Sequence, residues 1–336
     1  MIPPVLLNLR TLAELASHGM ELDFERLHLS GISPITDALA ARVPFGNLGA
    51  ETFVIHENGP KQRARGVIQA RVRKNRPEAD ITFIAPALPY DADAVTIWYR
   101  LLAGATRGLG GLGCQRLYAA VPAENGAEEV FRQAGFVSFT REQIFFLAAP
   151  NARAAAHTNG IAPDLAMRRM RKRDAWNVWR LYAAITPRPV QSAEARLTSD
   201  DAPKLDDWWE NLGGTNYLLE RDETLLGLVR ISRGRLATWV RFHLTPQTAA
   251  VLDQIVQETI ALIAQTRTRP IYVAVRDYEG GLAAALAAAG FTPRLERSHM
   301  VKHTTVRVRE TATWMKPVLE TSKIPVIHTT QHAREK

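Results

Sequence analysis

The hydrophobic pattern of the chain alternates between segments with helical spacing and short apolar runs typical of buried strands. Val95, Trp98, Tyr99 and Leu102 recur at helical spacing and predict a helix that begins near residue 92. The run at 115–121 is short and apolar, so it predicts a buried strand. In the second half, tight polar turns separate three predicted strands at 217–220, 225–230 and 236–244. This alternation predicts an α/β protein.

Glycines between the predicted helix and strand, at 108, 110 and 113, have the spacing of a dinucleotide-binding fingerprint. That fingerprint binds pyrophosphate where a strand precedes the glycines and a helix follows them, because the helix N-terminus supplies free amides. Here the order is reversed. We therefore interpret these glycines as the end of a helix and its connection to the next strand, where left-handed conformations favour glycine.

The two halves of the chain repeat one another. The corresponding segments are Leu117–Gly126 with Ile271–Gly280, Gly135-Phe136 with Gly290-Phe291, and the strands that end at Pro86 and Pro246. The offset between the two prolines is 160 residues, which is too long for a solenoid repeat and indicates two copies of one domain. Each copy is expected to be a mixed, mostly antiparallel twisted sheet flanked by helices.

These repeats divide the chain into four predicted parts: a first copy at 1–147, a linker at 148–163, a second copy at 164–310 and a weakly patterned tail at 311–336. In the second copy, Thr245 and Pro246 predict the start of a helix that continues to about residue 265. A short helix is expected at 281–289, and a final strand at about 299–308.

Composition narrows the function classes. The single cysteine excludes an internal disulfide and any cysteine-based metal cluster, and the chain has no H-E-x-x-H motif, so we expect no metal. No apolar run approaches the ~18 residues of a membrane span, so a cytoplasmic protein without a membrane partner is expected.

The formal charge of +8 favours anionic partners, and basic residues crowd into 61–76 and 168–173. These runs could be a solvated strand face or loop, a CoA or nucleotide phosphate site, or a nucleic-acid surface. No nucleic-acid-binding motif is recognisable, so the sequence does not favour a nucleic-acid partner.

The order of strand, proline, long helix, strand, short helix, Gly-Phe and last strand resembles the GNAT acyltransferase superfamily. The segments Ile81–Phe136 and Val240–Phe291 carry this resemblance. It implies acetyl-CoA or another acyl-CoA as donor, bound where two neighbouring strands diverge, with the pyrophosphate at the N-terminus of the long helix. It also implies a small-molecule or peptide amine as acceptor. The sequence leaves open whether the protein is a monomer or a homodimer.

The chain departs from the family pattern at its pyrophosphate loop, R/Q-x-x-G-x-G/A. In the second copy, Ala250 and Leu252 replace the two small positions after Gln247. The first copy has no glycine there and places Asp91 and Asp93 at the helix start, where carboxylates repel phosphate. Phe131 and Leu286 stand where the family often has an acid tyrosine.

Two hypotheses therefore remain open. The first is an N-acyltransferase whose second copy is catalytic, and the second is a non-catalytic tandem protein that binds a ligand or a partner. For a donor site we select seven residues of the second copy: Arg241, Leu244, Thr245, Gln247, Thr248, Ala249 and Ala250.

The catalytic candidates are His243 as general base and Tyr278 as acid, with an ordinary strand histidine and a loop aromatic as the alternatives. Arg241 could contact phosphate or pair with a carboxylate across the sheet. The matched Tyr118 and Tyr272 indicate shared core packing. The tryptophans of the second copy could line an acceptor pocket or belong to the core; they are Trp176, Trp179, Trp208 and Trp209.

Overall fold

A computed structural model of the protein describes residues 14–31, 34–40, 49–56, 64–124, 126–149, 151, 165–194, 214–222, 224–265 and 269–304. Most of the predicted linker lies outside these residues, as do the predicted tail, Trp208 and Trp209.

The first copy contains most of its regular structure in five longer strands and a long helix. Its elements are β1 (Met20–Glu21), α1 (Phe24–Ser30), α2 (Pro34–Ala40), β2 (Glu51–His56), β3 (Ala64–Val72), β4 (Glu78–Ala85), α3 (Ala94–Gly111), β5 (Arg116–Pro122), α4 (Ala127–Gln133) and β6 (Val137–Leu147). Gly108 and Gly110 fall in the last turns of α3, and Gly113 has a φ of 90° in the connection to β5, which confirms the interpretation of the glycine segment.

The second copy repeats this order. Its elements are β7 (Leu165–Arg169), a 3₁₀ turn (Lys172–Asp174), α5 (Ala175–Ile185), α6 (Arg188–Ala193), β8 (Gly214–Arg221), β9 (Thr224–Arg233), β10 (Thr238–Leu244), a 3₁₀ segment (Pro246–Val251), α7 (Leu252–Ala264), β11 (Ile271–Arg276), α8 (Leu282–Ala288) and β12 (Thr292–His303). The three predicted strands and both predicted helices are confirmed. The longer helix, however, begins as a 3₁₀ segment rather than as an α-helix.

The prediction for the final strand was wrong in its position. The strand begins at Thr292 rather than near His299, because the polar stretch 292–298 pairs with β6, and its last two residues also pair with β5. Arg297 is buried there and pairs with the buried Glu142 of β6. A charged segment with a buried ionic partner has no apolar pattern by which a strand could be predicted.

Within the described residues, twelve strands form one sheet. Eleven of them follow the order β2-β3-β4-β5-β12-β6-β11-β10-β9-β8-β7, and β1 pairs with β4. The final strands of the copies are exchanged, because β12 lies beside β5 while β6 lies beside β11. The copies therefore share one mixed, mostly antiparallel sheet, joined at its centre by β6 and β12.

Helices cover both faces of this sheet. Val240 and Phe242 of β10 point toward the face on which α7 packs. Trp239 alternates to the opposite face, where Leu29 of α1 packs in the same cluster. On that face Val178 and Leu181 of α5 also pack, against β8 and β9. An early helix from each copy thus covers the face toward which His243 also points.

Candidate functional site

Each copy has one pair of parallel strands that diverges before its end. In the second copy, β10 and β11 pair from Thr238↔Ile271 to Arg241↔Ala274. The strands continue to Leu244 and Arg276 without further pairing to each other. We call the wedge between 242–244 and 275–276 the second notch.

In the first copy, β4 and β5 pair over a shorter stretch, from Glu78↔Arg116 to Asp80↔Tyr118. We call the wedge between 81–85 of β4 and 119–122 of β5 the first notch. Both notches open at the carboxyl ends of parallel strands, which is where open α/β sheets commonly bind ligands.

The first notch is filled by the chain itself. Strand β1 pairs antiparallel with the end of β4, with Met20 opposite Ile84. The other edge of β4 is already paired with β3, so β1 lies on the edge that faces the notch. Backbone hydrogen bonds continue on both sides of this pairing, from Leu22 N to Thr82 O at 2.8 Å and from Ala87 N to His18 O at 2.6 Å. The Thr82 carbonyl of β4 and the Ala87 amide just after it are therefore not available to a ligand.

The second notch differs, because no strand in the described part of the chain pairs with 242–244 on the side that faces β11. Directly after it, the 3₁₀ segment begins with Pro246, which has no amide hydrogen. The amide of Thr248 is already donated to Thr245 O at 3.0 Å. The start of this segment therefore presents the amide of Gln247 as its main free donor.

Six of the seven predicted donor-site residues lie together at the end of β10 and in the 3₁₀ segment. Gln247, Ala249 and Ala250 are exposed, Leu244 and Thr245 are half-buried, and Thr248 is buried. The Thr248 hydroxyl donates to Thr245 O at 2.8 Å. The Thr245 hydroxyl oxygen is shielded from solvent and has no hydrogen-bond partner in the structure. An unsatisfied hydroxyl at this point suits a ligand that supplies a polar atom.

Arg241 does not join this group. Its guanidinium donates to Glu142 Oε1 at 2.8 Å and to Glu25 Oε2 at 3.3 Å. Glu142 also pairs with Arg297 and, at 3.1 Å, with His299 Nε2. Burial acts to raise the pKa of Glu142, but its three cationic or polar neighbours hold it well below the usual value. Arg241 therefore makes the cross-strand carboxylate pairing that was the alternative to phosphate contact.

His243 is buried on the same face as Arg241, beside the second notch. Its Nδ1 lies 3.8 Å from Glu279 Oε1, on the far side of the notch. Burial lowers the pKa of His243 to about 3, and the charges of Arg276 and Arg241 act in the same direction. The imidazole is therefore neutral near pH 7, which leaves it able to accept a proton but makes it a weak base.

Glu279 was not selected from the sequence. Its Oε2 accepts a hydrogen bond from Arg276 N at 2.8 Å, and burial raises its pKa to about 8. At neutral pH this carboxyl therefore carries a proton. A loop glutamate after a strand has no distinctive pattern; the available signal was that the repeat aligns it with the uncharged Asn125.

Tyr278 lies next to Glu279, and its hydroxyl is 3.3 Å from Arg276 Nη1. Burial raises the pKa of Tyr278. Arg276 in turn pairs with Glu194 Oε1 at 2.7 Å, and the Tyr182 hydroxyl donates to Glu194 Oε2 at 2.7 Å. A polar network thus runs from α5 to the second notch.

The other candidates have separate outcomes. Tyr118 is buried, and its hydroxyl donates to Ala193 O of the second copy at 2.9 Å. Tyr272 packs with Trp239 and Phe24. Trp179 is half-buried and packs against the cluster that contains Val178 and Leu181. Trp176 is 51% exposed, so the core interpretation was wrong for Trp176.

The described residues contain no group of three or more His, Cys, Asp or Glu side chains arranged to hold a metal ion. No helix among them is long and apolar enough to cross a membrane.

Comparison with known proteins gave matches in structure only. A scan of protein-family models and a search of curated proteins returned no match. Among solved structures, a GCN5-related N-acetyltransferase from Sphaerobacter thermophilus aligns over 90% of this chain and 94% of its own, at 11% identity and a TM-score of 0.51. The chain has a tandem GNAT-type fold.

Two further solved structures show similar likeness to this tandem GNAT-type fold. A conserved protein of unknown function from Staphylococcus epidermidis aligns over 79% of this chain and 99% of its own, at 11% identity and a TM-score of 0.50. A tandem GNAT protein from the clavulanic acid biosynthesis pathway aligns over 76% of this chain and 83% of its own, at 13% identity and a TM-score of 0.49.

Proposed function

We propose that the protein is an acyl-CoA-dependent N-acyltransferase in which the second notch binds the donor and the first copy is structural. The observation that carries this proposal is the difference between the notches. Strand β1 occupies the free edge of β4, whereas no described strand occupies the corresponding edge of β10. The acceptor would be a small-molecule or peptide amine.

The residues of the second copy fit an acyl-CoA in part. The edge of β10 at Phe242–Leu244 offers backbone groups to the amide-containing arm of the donor, and the Thr245 hydroxyl lacks a partner. The phosphates would meet the Gln247 amide and a segment start without an acidic residue. Because Thr248 N is already bonded, this cradle has fewer amides than a helix start normally provides. We therefore expect weak donor binding, in the micromolar range or above.

For the chemistry, we propose that His243 and Glu279 move the protons. Attack by the amine nitrogen on the thioester carbonyl carbon forms a C–N bond, and the C–S bond then breaks. His243 accepts the proton that the amine loses, and protonated Glu279 donates a proton to the departing sulfur. The proton then passes from His243 to Glu279 once their Nδ1 and Oε1 atoms close from 3.8 Å to hydrogen-bond length, which restores both groups and is favoured because Glu279 has the higher pKa.

Calorimetric titration of the full chain with acetyl-CoA and with CoA tests the donor site. We expect binding near one molecule per chain. The affinity should be roughly fivefold lower or more in Gln247→Glu, because a carboxylate at the start of this segment repels phosphate and competes with it for the free backbone amide. Gln265→Glu is the matched control, since it makes the same charge change at the other end of α7. Equal affinity of both variants would remove the assigned site.

A non-catalytic tandem protein is the second candidate, favoured by the pairing of Arg241 with Glu142 and Glu25. An assay of thiol release from acetyl-CoA with a panel of amines separates the two. Donor binding without amine-dependent release supports the non-catalytic protein. Amine-dependent release that is lost in His243→Gln supports the transferase.

A further inference from the structure

Trp176 on α5 presents an open aromatic surface. Its side chain is 51% exposed. One face of its ring is covered by Trp179, at a centroid separation of 5.0 Å and an interplanar angle of 21°. Stacking fixes the orientation of the ring and leaves the rest of it accessible to another planar group.

Exposed basic residues lie close to Trp176 in the sequence, on both sides of it. The exposed basic residues are Arg169, Arg171, Lys172, Arg173 and Arg180. None of them makes an ion pair with a carboxylate in the part of the chain that the structure describes. Asp174, the acid closest in sequence, is already bonded to Arg168 at 2.8 and 3.0 Å. The patch formed by Trp176 and these five cations, which we call the α5 patch, is therefore strongly positive.

The α5 patch is separate from the second notch. Tyr182, on the same helix, is buried and faces the network that includes Glu194 and Arg276. Trp176 and Arg180 lie on the exposed side of α5, while Val178 and Leu181 are buried against the sheet. The patch thus occupies the outer face of a helix whose inner face supports the notch.

We infer that the α5 patch binds single-stranded nucleic acid. A stacked tryptophan with an accessible face provides a platform for an unpaired base, and guanidinium groups that make no ion pair with a described carboxylate provide contacts for phosphates. A duplex would keep its bases stacked on one another and leave the ring without a partner. A membrane surface suits the patch less well, because interfacial helices insert a broad apolar face, whereas α5 exposes one large apolar residue.

Fluorescence titration of the full chain with a 12-nucleotide single-stranded DNA, in about 50 mM and 200 mM salt, tests this inference. We expect quenching of tryptophan emission and binding that falls with salt. Trp176→Ala should weaken binding by about tenfold. Tyr99→Ala is the matched control, because Tyr99 is also 51% exposed but lies on α3. It should bind as the unaltered chain does.

The phosphate contacts have their own test. Replacing Arg173 and Arg180 with Gln should reduce the slope of log affinity against log salt by about 1.4, the value for two single-strand phosphates. The same replacement at exposed Arg100 and Arg107 of α3 should leave the slope unchanged. Absence of binding in 50 mM salt would overturn the inference, as would equal effects of the two double variants. Binding to vesicles rich in anionic lipid but not to the oligonucleotide would overturn it in favour of a membrane surface. The result is independent of the acyltransferase proposal, because neither donor nor acceptor takes part.

Discussion

The first notch and the second notch arise from the same divergence of parallel strands, yet the residues beside them differ in kind. The repeat aligns four charged or titratable residues of the second copy with uncharged residues of the first: Arg241 with Ile81, His243 with Phe83, Arg276 with Pro122, and Glu279 with Asn125. In the first copy these uncharged side chains favour burial beneath another strand, and β1 fills the first notch. In the second copy Arg241 pairs with Glu142, Arg276 pairs with Glu194, and Glu279 accepts a hydrogen bond from the Arg276 amide.

This difference shows how a duplicated fold can separate its two tasks. Ion pairs hold the segment after β1 in place, since Arg71 of β3 contacts Asp23 at 2.7 Å and Asp37 at 2.8 Å. A notch closed in this way contributes to stability. A notch lined by His243 and Glu279 carries titratable groups that stability alone does not require. Four predictions test this division, in order of decreasing effect.

Glu142→Gln should have the largest effect, because Glu142 connects the copies. It is buried and pairs with Arg241, Arg297 and His299, so the neutral variant leaves buried cations uncompensated. We expect a loss of about 3–5 kcal/mol in the free energy of unfolding, measured by denaturant titration. Glu296→Gln, which breaks an exposed pair with Arg141, should cost less than about 1 kcal/mol. Similar losses in both would mean that the buried network is not what joins the copies.

Leu22→Ala should loosen the segment that closes the first notch. Leu22 is 3% exposed and packs in the core of the first copy, so its truncation should cost about 2–4 kcal/mol. Leu112→Ala, at a 63% exposed position, should cost little. Acetyl-CoA affinity should be the same in both variants, measured by calorimetry in conditions where each is folded. A changed affinity in Leu22→Ala alone would place donor binding in the first notch.

The repeat and the order of elements could be predicted from the sequence because the signals are local. Apolar runs mark β5 and β11, and the Gly-Phe pairs mark the ends of the short helices. The strand exchange and the closure of the first notch could not. Strand β1 has two residues and no periodicity, and the first part of β12 is charged. Both are strands because of partners far along the chain.

The grouping of residues 244–250 in one site could be predicted from the sequence, but the partners of Arg241 could not. The carboxylates that hold its guanidinium belong to α1 and β6, which are 216 and 99 residues away. Glu279 was missed for a related reason. Its raised pKa comes from burial, which the sequence around it does not indicate.

Glu279→Gln and Glu21→Gln should change the pH dependence of stability alike and that of catalysis differently. Burial raises the pKa of each glutamate from 4.5 to about 8. Between these values the unfolded chain releases a proton that the folded chain keeps, so stability falls as pH rises through about 8. Each variant should remove a decline of up to about 1.4 kcal/mol per pH unit, measured by unfolding at pH 5 to 9.

The rate of acyl transfer separates these two variants. The rate should fall as the pH rises through about 8 in the unaltered chain and in Glu21→Gln, because protonated Glu279 is the donor. In Glu279→Gln this decline should be absent and the rate low throughout. If Glu279→Gln leaves the pH profile unchanged, another group donates the proton. The donor site would still be tested separately by the titration with acetyl-CoA.

The smallest predicted difference lies in the matched tyrosines. The Tyr118 hydroxyl donates to Ala193 O at 2.9 Å, so Tyr118→Phe should cost about 1 kcal/mol of unfolding free energy. The Tyr272 hydroxyl makes no hydrogen bond to the described residues, so Tyr272→Phe should be nearly neutral. Thermal unfolding of the two variants side by side measures the difference. Equal costs would show that the repeat keeps these tyrosines for packing alone.

The exchange of β6 and β12 also determines when the protein can fold during its synthesis. The first copy emerges from the ribosome before β12, the strand that pairs with the edge of β5, has been translated, since β12 begins at Thr292. Until then β5 keeps an open edge, and β6 lacks both of the neighbours it has in the finished sheet. An open edge can pair with another nascent chain, so the interval before residue 303 emerges is when this protein depends most on protection from aggregation.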